Sequence, residues 1–281
     1  DWKSDLKIKN ESHKKKGKKM IRALYTAATG MSAQEVNVAT ISNNIANVNA
    51  DGFKKSRAEF QDLIYQNLRL VATLSPNGNQ VPTGSQVGAG TKLASVSKVF
   101  LQGDFVRTQR DLDMAISGKG FFQIAQPDGT IGYTRAGSFK IDNTGAIVTA
   151  DGLKLEPAIT IPPDMINLSV DQQGSVSVTQ PGATAPTVLG TVQLASFQNN
   201  GGLQAIGSSM FKETDASGAP TVGGPGTEDR GTLQQGFLEL SNVSVVEEMV
   251  NLISAQRAYE TNSRTVQTAD EMLQTANNMK R

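Results

Sequence analysis

The sequence predicts an α+β chain: long N- and C-terminal helices, packed as a coiled-coil-like pair, bracket an inserted antiparallel all-β domain. Three observations predict it. Counting from Leu24, residues seven apart are Leu24, Met31, Val38 and Ile45, with Ala27, Gln34, Ile41 and Val48 as the companion set. All but Gln34 are apolar, the stripe that a helix buries against another helix. From Val245 the same count gives Val245, Leu252, Tyr259, Val266 and Leu273, accompanied by Glu248, Ala255, Asn262, Ala269 and Ala276. Between the two stripes the apolar period falls from about 3.6 residues to 2, the spacing of strands. No long helical pattern in the middle offers either end a partner. The terminal helices are therefore expected to pack on each other or on those of further copies. The candidate assembly interface is Leu24, Met31, Val38, Ile41, Ile45, Val48, Val245, Leu252, Tyr259, Val266 and Leu273.

Taken in order, residues 1–19 hold eight Lys against Asp1, Asp5 and Glu11, and contain the only Trp (Trp2) and the only His (His13). Lys14-Lys15-Lys16-Gly17-Lys18-Lys19-Met20 reads as a translated ribosome-binding sequence before a start codon, so 1–19 is expected to be an upstream extension and not part of the fold. An axial helix is predicted within 20–52, from Ile21 to Val48, stopping at Asn49-Ala50-Asp51-Gly52, where Gly52 can adopt the left-handed conformation. Asn43, Asn44, Asn47 and Asn49 weaken that helix, since Asn is a poor helix former, and suit hydrogen bonds that fix register between neighbouring helices. Residues 53–95 form a connector: Phe53–Leu70 is a short helix or an extended arm, and Ser75–Gly90, with two Pro and four Gly, is a linker or surface arm.

Residues 96–232 are the antiparallel β domain. Short alternating runs at Asp113–Ser117, Phe121–Ala125, Ile131–Arg135, Ser138–Ile141, Ala146–Thr149, Leu153–Leu155, Ala158–Ile161, Ser175–Thr179 and Val188–Phe197 are separated by turn signals such as Pro127-Asp128-Gly129, Asn143-Thr144-Gly145 and Asp151-Gly152. Residues 233–281 supply a strand, Leu233–Leu240, and the C-terminal axial helix.

Composition excludes several function classes. The chain has no Cys, and one His inside the basic extension, so triads and ordinary zinc sites have no residues to build them. Gly88-Ala89-Gly90, Gly118-Lys119-Gly120 and Gly224-Pro225-Gly226 each begin a dinucleotide fingerprint that is not completed. Asp111 and Asp113 read as a solvated strand edge. Lys54, Lys55 and Arg57 form a small basic cluster, but net charge is +1 and no aromatic platform accompanies it, which argues against nucleic-acid binding. Tyr259 reads as a core aromatic, and Arg257, Glu260 and Arg264 as a helix-surface ion-pair set. No run of about 18 apolar residues predicts membrane insertion.

Longer motifs carry a resemblance. SNNIANVNADGFKKSRAEFQDL (Ser42–Leu63) is similar to the N-terminal signature of the bacterial flagellar rod and hook proteins, and the stretch Leu233–Leu273 resembles their C-terminal signature. DMAISGKGFFQI (Asp113–Ile124), Tyr133–Pro157 and Phe197–Pro220 agree as well, so the resemblance runs from about Met20 to Met279. The matching signature residues are Asn43, Asn44, Asn47, Gly52, Phe53 and Lys54 at one end, and Gln256, Arg257, Tyr259 and Glu260 at the other. Length from Met20 and the segment Tyr65–Leu93, with Gln86–Gly90, look most like the distal rod members.

The resemblance implies a non-enzymatic axial subunit without cofactors. It would form a homo-oligomeric helical tube and be exported without a cleaved signal by the flagellar type III apparatus. Its implied partners are the proximal rod proteins, the hook protein and the P- and L-ring proteins. It implies no nucleic acid, and a place in the basal-body rod that spans the periplasm. A proximal rod or hook-family axial protein is the alternative. A coiled-coil adhesin or scaffold with a β head is a competing class, distinguished by not needing both termini to polymerise.

Overall fold

The computed structural model describes residues 2–69, 84–182, 185–227 and 230–278, with side chains throughout except at 2–21, 69, 276 and 277. Two long helices flank many short antiparallel strands, an α+β chain. Helix α1 runs Trp2–Ala46 and helix α2 Val245–Asn278. The backbone of α1 begins well before the Ile21 expected from the heptads, because the Lys-rich segment contains no Pro and favours helix. It ends before Val48. Asn47 and Val48 continue only as turns, their N–H groups bonding to Asn44 O and Ile45 O at 3.2 Å. Asn side chains compete for backbone partners and shorten helices in this way. Of the linker or surface arm expected at Ser75–Gly90, residues 75–83 lie outside the described residues, as does the side chain of Ala276.

By compactness the chain divides into two units. The first takes the described parts of Asp1–Asn43, Ser56–Ser97 and Val246–Arg281. Besides the helices it holds β1 (Ser56–Asp62), β2 (Gln66–Arg69), β3 (Ser85–Val87) and β4 (Thr91–Lys98). Strand β1 pairs with β4 and β2 with β3, nested as in one long hairpin, with Gln66 opposite Val87 and Asn67 opposite Gln86. The connector is therefore extended, not helical. The hairpin lies along α1: Arg22 Nη1 donates to Gln66 Oε1 at 3.1 Å, and the Thr91 N–H reaches Thr29 Oγ1 at 3.4 Å. Gly30 faces Asn262 of α2, where a Cβ would stand 2.9 Å from Nδ2.

The second unit takes Asn44–Lys55 and Lys98–Val245. Its strands are β5 (Phe105–Arg107), β6 (Met114–Ser117), β7 (Phe121–Ala125), β8 (Ile131–Thr134), β9 (Lys140–Ile141), β10 (Ile147–Val148) and β11 (Leu155–Glu156). There follow β12 (Asn167–Val170), β13 (Ser175–Thr179), β14 (Thr187–Thr191), β15 (Leu194–Ser196) and β16 (Gln204–Gly207). The last are β17 (Met210–Lys212), β18 (Thr221–Gly223), β19 (Thr232–Gln235) and β20 (Phe237–Glu239).

The largest sheet has the order β16-β17-β8-β7-β15-β18, with β11 also on β7; β12-β13-β14 form a separate meander. Strand β7 is interior, and its near-continuous Phe121-Phe122-Gln123-Ile124 is buried on both faces. Phe122 and Ile124 enter a core with Met114, Ile116, Leu155 and Leu194. Phe121 points the other way, into an edge-to-face cluster with Phe100, Phe197 and Phe211. Such aromatic pairs add about 0.5–1.5 kcal/mol each beyond area burial. Turns 127–129, 143–145 and 151–152 carry left-handed glycines, as their sequences predict.

Two predicted strands are broken. Val188–Phe197 splits between β14 and β15, and Leu233–Leu240 splits at Gly236, whose φ is +74°. Each half pairs elsewhere: β19 with β6, and β20 with β5.

Gly52 is buried with φ +65°, and its N–H donates to Glu239 O at 2.8 Å. A Cβ there would run into the backbone of Arg135 and Ala136. Left-handed backbone alone costs a residue with a Cβ roughly 1–2 kcal/mol, and the steric conflict adds to it. Gly52→Ala is expected to destabilise the second unit by at least about 2 kcal/mol, read as a lower midpoint in chemical denaturation.

Candidate assembly surface

The helices of the first unit are buried along a narrow stripe in which small residues predominate, with Ile41 and Glu248 as its larger members. On α1 this stripe is Ala27, Ala33, Thr40 and Ile41; on α2 it is Glu248, Ala255 and Ala269, spaced in heptads. The larger seam residues sit beside it. Leu24, Met31, Val38, Ile45, Val48, Leu252, Val266 and Leu273 are half-buried, and Ile41 is buried. Val245 and Tyr259 are exposed, so Tyr259 is not the core aromatic its heptad position suggested. Small residues at the deepest positions leave the bulky neighbours room only at the margin.

A second stripe lies opposite. At 100° per residue, Val246, Met249, Val250 and Ile253 project away from Glu248 and Ala255. All four are exposed, Val246 at 75%. The hairpin adds Ile64 (87% exposed), Tyr65, Leu68, Leu93 and Val96, and α1 adds Tyr25. An open cavity of about 580 Å³, lined by Ala23, Ala27, Leu68, Val87, Asn262 and Thr265, lies between the helices and the hairpin. Large apolar groups this numerous on one unit mark an interaction surface. The sequence reading missed the outer stripe. Its signal, Val246-x-x-Met249-Val250-x-x-Ile253, has helical spacing but overlaps the heptad count from Val245.

The signature residues divide sharply. Gln256, Arg257, Tyr259 and Glu260 are all exposed. Among the described residues no ion pair joins Arg257, Glu260 and Arg264. At the other end Asn44 is buried, Asn47 half-buried and Asn43 exposed. The Phe53 ring lies under Lys98, whose Nζ stands 4.4 Å from its centroid.

Lys54 does not belong to a surface basic cluster. It is 1% exposed and contacts Glu239 Oε1, while its Nζ also donates to Leu101 O at 2.8 Å. Arg135 Nη1 donates to Glu239 Oε2 at 3.3 Å, and its Nη2 to Gly118 O at 2.7 Å. Burial pushes both cations below their ordinary pKa values, and Glu239 opposes the shift. Beside them Lys55 N–H donates to Asn242 Oδ1 at 2.8 Å, and Asn242 Nδ2 donates to Val99 O at 2.8 Å. The N-terminal and C-terminal signatures thus meet inside the second unit. Asp113 is also a correction: it is buried, 3.7 Å from Arg110, whereas Asp111 is exposed.

Residues 24–54 match the family described as flagella basal body rod protein. Residues 115–178 match the flagellar hook protein FlgE/F/G D1 domain, and 234–279 the flagellar basal body rod FlgEFG protein C-terminal. The flagellar basal-body rod protein FlgG of Borreliella burgdorferi is 50% identical over 264 residues, covering 93% of this chain and all of the relative. The protein of the same name from Caulobacter vibrioides is 49% identical, over 92% of this chain and all of its own. That from Bacillus subtilis is 38% identical over 93% and all of its own. The chain belongs to the flagellar basal-body rod protein family. Members of this family are structural, and no helix among the described residues is long and apolar enough to cross a membrane.

Val250→Asp tests the outer stripe. An exposed substitution changes monomer stability by no more than about 0.5 kcal/mol. The variant is expected to melt as the wild type does and to fail in co-sedimentation as polymer; polymer yield equal to wild type would remove Val250 from the interface.

Proposed function

We propose that the chain is the subunit of the distal rod, polymerising through its terminal helices into the tubular shaft that carries torque to the hook. The observation that carries this reading is the outer stripe Val246, Met249, Val250 and Ile253, left in solvent on a helix whose inner stripe is already covered. A subunit with a satisfied inner stripe and an open outer one gains by adding neighbours. Identical copies joined by a non-closing contact produce a helical filament. Within a subunit α1 and α2 pair in coiled-coil fashion along Ala27, Ala33, Ile41, Ala255 and Ala269, with Gly30 admitting Asn262. The partners this reading assigns are the proximal rod proteins below, the hook protein above, the P- and L-rings around the shaft and the type III apparatus that exports the chain.

Electron microscopy of basal bodies from a strain lacking the gene tests the proposal. Rods without the distal segment and hook are expected, with restoration on complementation. Complete hook-basal bodies in the deletion strain would overturn it.

The segment Tyr65–Leu93, which contains β2 and β3, distinguishes this assignment from a hook-family protein. Its exposed Tyr65, Leu68, Val87 and Leu93 offer apolar contacts across a subunit boundary. A shaft must resist bending, and a hairpin wedged between copies opposes the sliding that bending requires. Deleting 65–93 is expected to leave secretion intact and give rods that are curved or short; straight rods of normal length would show that the hairpin has no such role.

A further inference from the structure

Among the described residues Lys54, Arg135 and Glu239 form one buried charge cluster, two cations on a single carboxylate. Every other partner is neutral. Leu101 O faces Lys54, Ile116 O and Gly118 O face Arg135, the Gly103 N–H donates to Glu239 Oε1 at 3.0 Å, and the Phe121 ring lies 5.3 Å from the Arg135 guanidinium carbon. Carbonyl dipoles and an aromatic face soften a cation but do not neutralise it. Among the described residues only Glu239 meets these cations with an opposite charge. It lies 185 residues beyond Lys54 and 104 beyond Arg135, on the penultimate element of the chain.

We infer that Glu239 is the charge key of the second unit: native packing around Lys54 and Arg135 is reached only when this one carboxylate docks between them. Until then, closing β6 to β8 over the site would bury two mutually repelling cations with no counter-charge, a cost that breaks such structures. The backbone enforces the same order. Strand β20 pairs Glu239 with Phe105, and Glu239 O takes the Gly52 N–H, so one residue brings the connector, the β5 strand and Arg135 together. Sequence up to about residue 238 therefore holds nearly all of the core yet is denied a stable closed form. The inference does not rest on the assembly reading and would hold for an isolated monomer.

Three measurements on the full-length chain test it. Glu239→Gln, which keeps the shape and loses the charge, is expected to raise the unfolded fraction by at least about a hundredfold, the scale for orphaning a buried charge. Adding Lys54→Met and Arg135→Met to that variant is expected to recover most of the loss. Damage to packing alone would only grow with two further substitutions, so recovery is specific to charge. In refolding followed by pulsed hydrogen exchange, amides of β6 and β7 are expected to gain protection together with those of β19 and β20. Wild-type stability for Glu239→Gln, a triple variant no more stable than the single one, or early protection of β6 and β7 would each overturn the inference.

Discussion

The second unit depends on what happens at one carboxylate. Glu239 accepts from Lys54, Arg135 and the Gly103 N–H through its side chain, and from the Gly52 N–H through its carbonyl. These partners come from the segment after α1, the segment after β4 and the β8 strand end. Asn242, three residues on, binds Lys55 and the carbonyls of Val99 and Leu101. The segments after α1 and after β4 each adjoin a point where the backbone passes from one compact unit to the other, whereas Arg135 lies well inside the second unit. The requirement at Gly52 follows from the same packing, since only a residue without Cβ lets the connector lie against Arg135 and Ala136.

Much of the architecture was legible because it is written in short-range patterns. Heptads located both helices, and Asp-Gly and Asn-x-Gly turns located the central hairpins. What escaped was non-local. Strands β1 and β4 pair across a long insertion, too far apart in sequence for a short turn signal to link them. Gly236 looks like an ordinary strand residue until φ +74° redirects the chain from β6 to β5. Lys54 reads as one of three basic neighbours, and only the fold shows that Lys54 is buried while Arg57 stays in solvent. A charged residue inside the run Phe237-Leu238-Glu239-Leu240 was the available hint.

The helices illustrate a different limit. A heptad count finds which residues share a face, but the period alone does not say which of two overlapping apolar faces is deeper. On α2 the answer turns on size. Ala255 and Ala269 allow close approach and are almost fully covered, whereas Val246, Met249, Val250 and Ile253 remain outside. On this helix the small side chains are covered and the bulky ones stay in solvent.

The sheet β16-β17-β8-β7-β15-β18 has a further consequence through its two ends. An open strand edge is a template for indiscriminate pairing with another chain, a hazard for any protein crowded among identical copies. Both edges here are short. Strand β18 follows Pro220 and runs into Gly223-Gly224-Pro225, and the Arg230 side chain reaches over it to bond the carbonyls of Thr221 and Gly224 at 3.5 and 3.4 Å. Strand β16 is bent into its partner by a register shift and by Ser208 and Ser209, both with left-handed φ. Blunted edges guard the second unit against indiscriminate strand pairing and leave exposed helical side chains as the more open apolar surface. A chain built this way would tolerate high concentration without its β units fusing edge to edge into amyloid-like ribbons.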